Sequence, residues 1–318
     1  MDLVRVENLV MHYETREGMV RAVDGVSFRL KESETLGLLG ESGCGKSSVA
    51  SVLLKVLPDN ARIVGGQVFF RGNDILALEE EKMRHVRWEG ISLVFQAAMN
   101  VLNPVYRVGE QILEAMFAHY QELEVEKGRK KVVQLLELVG LDARIIDAYP
   151  HQLSGGMRQR VVIAMALACS PAVVVADEPT TALDVIMQDR ILRELRKVRE
   201  ELGMSMVYIT HDIAVIAEVS DWLAVMYSGK IVEQGPTTGV FDHPHHPYTR
   251  GLMLSFPSVH GPRKSLQVIP GEPPSLITPP SGCRFHPRCT RVKHQCRKEE
   301  PPLVELADNH HVACYNPW

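Results

Sequence analysis

The sequence lacks the patterns of a secretory signal peptide and of a membrane-spanning helix. Its 318 residues do not begin with a basic, apolar and small-residue pattern, so we expect no secretory signal peptide. The longest apolar run covers residues 161–176, is broken by Ser170 and Pro171, and falls short of the about 18 residues that a spanning helix needs. We interpret it as a buried helix followed by a buried strand, and we expect a cytosolic protein.

The chain also lacks an excess of positive charge and closely spaced cysteine pairs. Its formal net charge is −4, so nothing in the overall charge favours nucleic acid as a partner. Six cysteines in a cytosolic chain are more compatible with thiols or metal ligands than with disulfides. The 45% of hydrophobic residues is enough for a substantial core, in one large domain or two ordinary ones.

Proline is scarce in the first three quarters of the chain. Six of the nineteen prolines lie in residues 1–240 and thirteen lie in 241–318, so long regular elements fit only the first part. We place the boundary near Gly235 and Pro236. The predicted units are a nucleotide-binding domain at 1–235 and a loop-rich extension at 236–318.

Short apolar runs alternate with helix-like segments in the first part. The runs predict strands at 35–40, 65–70, 91–95, 172–177 and 204–210, and a hairpin at 222–235 that turns at Ser228 and Gly229. Apolar periodicity predicts helices at 45–57, 108–122, 126–139, 155–169 and 188–202. We therefore expect an α/β sheet covered on both faces, with a helical subdomain at about 97–170 where no strand pattern occurs.

The stretch GESGCGKS at 40–47 fits the phosphate-loop pattern G-x-x-x-x-G-K-[ST] between a predicted strand and a predicted helix. Its glycines let backbone N–H groups surround phosphate oxygens, and the helix points its positive end at the anion. Lys46 can reach the β- and γ-phosphates, and the Ser47 hydroxyl can ligate Mg²⁺. The predicted ATP contacts of this stretch are Gly40, Glu41, Ser42, Gly43, Cys44, Gly45, Lys46, Ser47 and Ser48.

Two acidic residues follow the apolar strand in AVVVADEP at 172–179. Asp177 ends that strand and can hold Mg²⁺ through water. Glu178 comes next, where a carboxylate can position or deprotonate an attacking water. The alternative interpretation is an acidic pair at a strand end without a catalytic role. The phosphate loop in the same chain argues against this alternative.

The stretch LSGGMRQR at 153–160 is a glycine-rich helix start and so a second candidate anion site. On its own it is equally compatible with an ordinary helix start. Together with GESGCGKS and VVADEP, it resembles the ATP-binding subunits of ABC transporters, and LSGGMRQR is the usual form in the oligopeptide/dipeptide importer branch. The resemblance covers nearly the whole chain and implies a P-loop NTPase fold of the ABC type.

The resemblance assigns further residues by motif. Gln96 matches the Q-loop glutamine, which contacts Mg²⁺ and links the site to a membrane partner, and His211 matches the switch histidine that senses the γ-phosphate. The signature loop, the D-loop aspartate and the aromatic residue that stacks on adenine match Ser154, Gly155, Gly156, Asp184 and Tyr13. The implied catalytic set is Glu178, His211 and Gln96, and the implied Mg²⁺ set is Ser47, Gln96 and Asp177.

ABC ATPases of this kind work as head-to-tail dimers, in which each ATP lies between the phosphate loop of one subunit and the signature loop of the other. The resemblance implies a second ATPase subunit, paralogous or identical, two transmembrane permease subunits and, indirectly, an extracytoplasmic solute-binding protein. It places the chain at the cytoplasmic face of the cell membrane, hydrolysing ATP to drive import of di- or oligopeptides. The alternatives are oligosaccharide or nickel import, a soluble ABC ATPase acting on nucleic acid or ribosomes, and a redox- or metal-sensing ATPase.

The tail contains a His- and Pro-rich turn, HPHHPYTRGL at 243–252, and four cysteines spaced as Cys283-x5-Cys289-x6-Cys296-x17-Cys314. This spacing lacks the close pairs of structural zinc sites, whereas four thiolates on loops can bind an iron–sulfur cluster. Zinc, disulfides and unliganded thiols remain open on the residues alone. The tail resembles the C-terminal extension of oligopeptide/dipeptide importer ATPases, which implies a [4Fe–4S] cluster that staples a segment poor in core residues.

The four cysteines are remote from the ATP motifs in sequence. We therefore expect loss of Cys289 to loosen residues after about 240 more than it weakens ATP binding. Cys44 and Cys169 lie outside the quartet, and we expect both to be dispensable for a cluster.

Overall fold

The computed structural model describes residues 2–95, 101–180, 184–255, 268–307 and 309–318. The strands are β1 Asp2–Thr15, β2 Gly18–Lys31, β3 Thr35–Leu39, β4 Ala61–Phe70, β5 Asn73–Asp74, β6 Ile91–Val94, β7 Val173–Asp177, β8 Ser205–Thr210, β9 Trp222–Tyr227, β10 Lys230–Pro236, β11 Val304–Ala307 and β12 His310–Val312. The α-helices are α1 Lys46–Leu53, α2 Glu80–His85, α3 Val108–His119, α4 Val125–Leu138, α5 Gly155–Ala166, α6 Val185–Leu202, α7 Ile213–Val219, α8 Thr237–Asp242 and α9 Pro247–Ser255.

The main sheet has eight strands in the order β11-β12-β10-β9-β3-β8-β7-β6. Strands β9, β3, β8, β7 and β6 pair in parallel, and β10 adds to β9 in antiparallel orientation. Every residue of β3, β7 and β8 is buried, as expected for parallel strands that are covered on both faces. The carboxyl ends of β3, β7 and β8 lie at one edge, where the predicted ATP motifs begin.

A second, antiparallel sheet in the order β2-β1-β4-β5 packs beside the main sheet. Its apolar side chains share a hydrophobic core with α1 and with one face of β3, β7 and β8. The sequence patterns predicted part of β4 but neither β1 nor β2. These two strands are 14 residues long each and build the wall against which the phosphate-loop helix packs.

Between β6 and β7 the described residues 101–172 contain helices, turns and irregular loops but no strand. Helices α3, α4 and α5 join a second core that reaches the other face of the main sheet and the extension. Helices α1, α3, α4, α5 and α6 confirm the five helix predictions to within a few residues at their ends. Among the described residues, no helix has both the length and the apolarity that crossing a membrane demands.

The extension after residue 236 is not a separate layer, because its hairpin β11–β12 continues the main sheet. Strand β12 pairs with β10, so Glu233 faces Val312 and Gln234 faces His311. The remaining described residues of the extension are irregular apart from α8, α9 and a short 3₁₀ turn at Gln295–Arg297, as the proline content predicts. The division at residue 235 stays a prediction.

Candidate ATP site and the surrounding extension

The phosphate loop connects β3 to α1 and needs glycine for steric reasons at two positions. Gly45 has φ of 106°, and a Cβ there would lie 2.0 Å from the carbonyl oxygen of Ala22. A Cβ on Gly40 would lie 2.2 Å from the carbonyl oxygen of Met226. Neighbouring strands thus hold the loop tightly around the start of α1, where backbone N–H groups favour an anion.

The Lys46 ammonium lies inside the curl of the phosphate loop. Its Nζ donates to the carbonyl oxygens of Gly40 at 2.7 Å and Glu41 at 3.0 Å, and the residue is only 5% exposed. These two carbonyl groups fix the position of the cation. The loop therefore offers a preorganised positive charge next to the helix start.

Ser47 and Asp177 meet at the carboxyl ends of β3 and β7. Burial raises the pKa of the Asp177 carboxyl, and the neighbouring charge of Glu178 adds to this, whereas a hydrogen bond with Ser47 and the charge of Lys46 act in the opposite direction. The Oδ1 atom of Asp177 is buried and has no hydrogen-bond partner among the described residues. A hydroxyl beside an unsatisfied carboxylate oxygen is a donor set that fits Mg²⁺.

Glu178 and His211 contact each other directly beyond β7 and β8. His211 Nδ1 lies 2.8 Å from Glu178 Oε1, and the imidazole is more than half exposed while the carboxylate is largely buried. Glu178 has a φ of 46°, and its N–H donates to the carbonyl of Ile209 at 2.9 Å. The turn thus holds a carboxylate at the strand edge with a histidine that orients it, an arrangement suited to activating water.

The remaining predicted residues occupy helix starts or the edge of the phosphate-loop helix. Ser154 and Asp184 are the N-caps of α5 and α6, accepting the N–H of Met157 at 3.3 Å and of Met187 at 2.9 Å. The Tyr13 hydroxyl lies 3.1 Å from Ser48 Oγ, so the ring is beside the start of α1. Gln96 lies outside the described residues.

The extension reaches the phosphate loop, which the sequence analysis did not predict. Arg288 forms an ion pair with Glu41, and the Tyr248 hydroxyl accepts the N–H of Glu41. The expectation that the cysteine segment is remote from the ATP motifs is therefore wrong in space, although it holds in sequence. Both residues stand in stretches that the sequence analysis singled out, HPHHPYTRGL and GCRFHPRC, but nothing local in those patterns indicates their partner.

Comparison with known proteins identifies the chain. The family described as ABC transporter matches residues 23–181, and the family described as oligopeptide/dipeptide transporter, C-terminal region, matches residues 232–296. This chain belongs to the ABC transporter ATPases. It carries the ATP-hydrolysing cassette of that family, so its enzymatic activity is that of an ABC-type ATPase.

Similar proteins cover nearly the whole of this ABC ATPase. The dipeptide transport ATP-binding protein DppD of Caldanaerobacter subterraneus is 43% identical, with 98% of this chain and 96% of that protein covered. The oligopeptide transport ATP-binding protein OppD of Bacillus subtilis is 42% identical, with 98% and 87% covered. Among solved structures, the ATP-binding cassette MJ0796, a dimer bound to ADP and Pi, is 30% identical with a TM-score of 0.66, covering 74% of this chain and 98% of that one.

The four cysteines of the extension of this ATPase form one neighbourhood and none is in a disulfide. Cys283 donates its N–H to the carbonyl of Cys296 at 2.8 Å, and the Asn316 side chain donates to the carbonyl of Arg291 at 3.1 Å, which ties together the loops of Cys289 and Cys314. Burial and, to a smaller extent, the charges of the other three sulfurs raise the pKa of Cys283 to about 12, although a hydrogen bond from the backbone of Phe285 acts in the opposite direction.

Backbone N–H groups point at the sulfurs of all four cysteines. The donors lie on Phe285 for Cys283, on Arg291 for Cys289 at 3.4 Å, on Lys293 for Cys296 at 3.4 Å and on Asn316 for Cys314 at 3.3 Å. Within the described ranges, however, no group of three or more His, Cys, Asp or Glu side chains is placed to hold a metal ion. The cluster stays a prediction.

Proposed function

We propose that this ABC ATPase energises the import of di- or oligopeptides through a pair of transmembrane permease subunits at the cytoplasmic face of the membrane. The observation that carries the proposal is the match over residues 232–296 to the C-terminal region of oligopeptide/dipeptide transporters. Relatives such as DppD and OppD, whose names refer to dipeptide and oligopeptide transport, align over nearly the whole length. Oligosaccharide or nickel import is the alternative within the same motor role.

The arrangement of the strand-end residues supports the following catalytic roles. Lys46 and the N–H groups of the phosphate loop bind the phosphates, and Ser47 and Asp177 would hold Mg²⁺, which would supply further positive charge to the phosphates. Glu178 orients the attacking water and accepts its proton on a carboxylate oxygen. His211, hydrogen-bonded to that carboxylate, keeps it oriented, and the family resemblance implies that it senses the γ-phosphate.

A second ATP-binding subunit completes the site in this proposal. The signature residues Ser154, Gly155 and Gly156 stand at the start of α5, and Asp184 is exposed at the start of α6. The two residues after Asp184, Val185 and Ile186, are both 81% exposed, which is unusual for apolar side chains and supports a subunit interface at this point. The second copy is identical or paralogous.

The permease contact is proposed next to the segment that contains Gln96. Two apolar side chains on its C-terminal side, Val105 and Tyr106, are 72% and 54% exposed. Exposed apolar groups that cluster in this way favour docking of another protein. A transmembrane permease subunit is the partner that the family resemblance implies.

The transport proposal is tested with the chain assembled with its permease subunits, its second ATPase subunit and its solute-binding protein in lipid vesicles. ATP-dependent uptake of labelled dipeptides and pentapeptides is compared with uptake of Ni²⁺ and of a malto-oligosaccharide. We expect peptide uptake that is abolished by Lys46→Ala. Uptake of nickel or sugar without peptide would refute peptide as the cargo while leaving the motor role, and ATP hydrolysis without uptake of any of these cargoes would refute the motor role.

We further propose that Cys283, Cys289, Cys296 and Cys314 ligate one [4Fe–4S] cluster. The N–H groups that point at all four sulfurs support thiolate ligands, because hydrogen bonds to sulfur stabilise its negative charge and tune cluster potentials. A single zinc ion would need all four sulfurs at about 2.3 Å from one atom. In a four-iron cluster each thiolate binds a different iron, so the sulfurs stay further apart.

The cluster proposal has a direct chemical test. Chain purified without oxygen should be brown and contain about four iron and four sulfide per chain. Cys289→Ser should lose the colour, whereas Cys169→Ser should keep it, because Cys169 is buried in the helical region. A colourless anaerobic preparation with one zinc per chain would refute the cluster and leave the ATPase assignment unchanged.

A further inference from the structure

A buried arginine next to Cys289 forms an ion pair with Glu41, the residue after the first glycine of the phosphate loop. Arg288 stands directly before Cys289, and its side chain is only 5% exposed. Its two terminal nitrogens donate to the two carboxylate oxygens of Glu41 at 2.7 and 3.0 Å, and its Nε donates to the carbonyl of Pro270 at 2.9 Å. Two parallel hydrogen bonds between a guanidinium and a carboxylate are among the stronger and more directional polar contacts in proteins.

A tyrosine of the extension holds the backbone of the same residue. The hydroxyl of Tyr248, in α9, accepts the N–H of Glu41 at 2.9 Å. Tyr248 is fully buried, and its ring packs against the rings of Tyr227 at 4.6 Å and Phe285 at 5.4 Å between centroids. The extension thus fixes both the carboxylate and the amide of Glu41 with two side chains that cannot move freely themselves.

Glu41 in turn fixes the cation that meets ATP. The carbonyl oxygens of Gly40 and Glu41 accept the two hydrogen bonds of Lys46 Nζ. A contiguous chain of contacts therefore runs from the cysteine segment through Arg288 and Glu41 to Lys46. Its members are hydrogen-bonded one to the next, so displacement of Glu41 displaces a group to which Lys46 is bonded.

We infer that Arg288 and Tyr248 are positioning residues for ATP binding, which they control through Glu41. Two effects act together. Arg288 neutralises a carboxylate that is part of the loop that binds the phosphates, and Arg288 and Tyr248 keep the Glu41 carbonyl where Lys46 requires it. This inference rests on the assignment of the phosphate loop and depends neither on the imported cargo nor on the cluster.

The charge of Glu41 makes the inference testable. Without Arg288, an uncompensated carboxylate remains in the loop and repels the phosphates of ATP, an effect that weakens with salt. Arg288→Gln should therefore weaken ATP binding about tenfold, near the middle of the range for coupling through a contact network. The KM for ATP should rise by a similar factor, while kcat at saturating ATP should stay within about twofold, because Glu178 and His211 are untouched.

Removing the carboxylate should rescue the arginine variant. In the double variant Glu41→Gln with Arg288→Gln, ATP affinity should return to within about threefold of wild type, since no unpaired charge is left. Arg250→Gln is the matched control: Arg250 is in the same extension, and its guanidinium stacks on the Trp318 ring at 3.8 Å. That control should leave ATP affinity unchanged.

The experiment measures ATP affinity by calorimetry and ATPase kinetics on the full chain. Tyr248→Phe, which loses one hydroxyl and keeps the packed ring, provides a second variant if Arg288→Gln does not fold, and it should raise KM about threefold. Wild-type affinity in both Arg288→Gln and Tyr248→Phe would overturn the inference. Equal loss in Arg288→Gln with and without Glu41→Gln would overturn it as well, because the arginine would then not act through Glu41.

Discussion

One buried carboxylate joins the extension to the ATPase sheet, and its replacement makes a strong stability prediction. Glu233, in β10, is completely buried. Its Oε1 accepts hydrogen bonds from His310 Nε2 at 2.8 Å and from the N–H of His245 at 2.7 Å, and its Oε2 accepts the N–H of His246 at 2.9 Å. Three donors from two separate parts of the extension therefore converge on one side chain.

Glu233→Gln keeps the shape of the side chain but removes the charge and turns one acceptor into a donor. If the new NH₂ group takes the place of Oε2, it faces the N–H of His246 and one hydrogen bond is lost. If it takes the place of Oε1, it faces the N–H of His245 and the imidazole of His310, and two hydrogen bonds are lost. Hydrogen bonds to a charged group contribute about 1.5–3 kcal/mol each, and breaking a buried charged pair costs about 3–5 kcal/mol. We therefore expect local opening of the extension to become about 3 kcal/mol easier, or on the order of a hundredfold more frequent.

Hydrogen exchange measures this opening at a defined bond. The N–H of Ala313 donates to the carbonyl of Val232 at 2.9 Å across the joint between β10 and β12, so its exchange reports separation of the two strands. Glu305→Gln, on the exposed side of the same hairpin, is the control and should change exchange less than about threefold. Exchange at Ala313 in Glu233→Gln that equals the control would refute the reasoning.

The pH dependence gives a second check. Burial alone raises the pKa of Glu233, but the hydrogen bonds from His310 and from the N–H groups of His245 and His246 outweigh it, so the pKa is lowered from 4.5. A carboxylate with a lowered folded pKa stabilises the fold fully above its unfolded value and loses this contribution as the pH falls through the folded one. The difference between wild type and Glu233→Gln should therefore shrink below about pH 4.5.

Three further predictions concern the ATP site. Glu178→Gln should still bind ATP and trap a closed dimer, but turnover should fall about 10²- to 10⁴-fold, the loss of a general base; near wild-type hydrolysis would remove Glu178 from that role. Lys46→Ala should weaken both ATP binding and hydrolysis, and unchanged affinity by calorimetry would contradict the phosphate-loop assignment. In the Cys289→Ser variant, limited proteolysis should remove the tail early, and ATP binding should also weaken because Arg288 is the neighbouring residue. A loosened tail with wild-type ATP affinity would show that the extension and the phosphate loop are independent.

The parallel part of the fold could be predicted because its signals are local. Strand β7 is five consecutive buried residues, and helix α6 has apolar residues on one face with charges elsewhere. The motif residues could be placed at strand ends for the same reason: Asp177, Glu178 and His211 directly follow apolar runs. Their meeting at one edge of the sheet is then a consequence of parallel strand order.

The sequence did not predict strands β1 and β2, because β-bulges interrupt the alternation of buried and exposed residues along them. Their register shifts at several points, among them between Val6 and Leu9, where Asn8 adopts a φ of 46°. An extra residue in a bulge turns the following side chains to the other face, so buried residues no longer recur at every second position. Gly25, with φ of 79° in β2, has the same effect on the pattern.

The contact between the extension and the phosphate loop could not be predicted because its partners are 247 residues apart in the chain. Neither a proline-rich tail nor an arginine between two cysteines indicates which surface it covers. The strand pairing of β12 with β10 brings the tail back to the main sheet. Once there, a buried Arg288 requires an anion, because an unpaired guanidinium is costly inside a protein, and Glu41 supplies it. Distance in sequence therefore says nothing about independence in this protein: the segment that carries the cysteines and the loop that binds ATP share one ion pair, so a disturbance of either one should be measurable in the other.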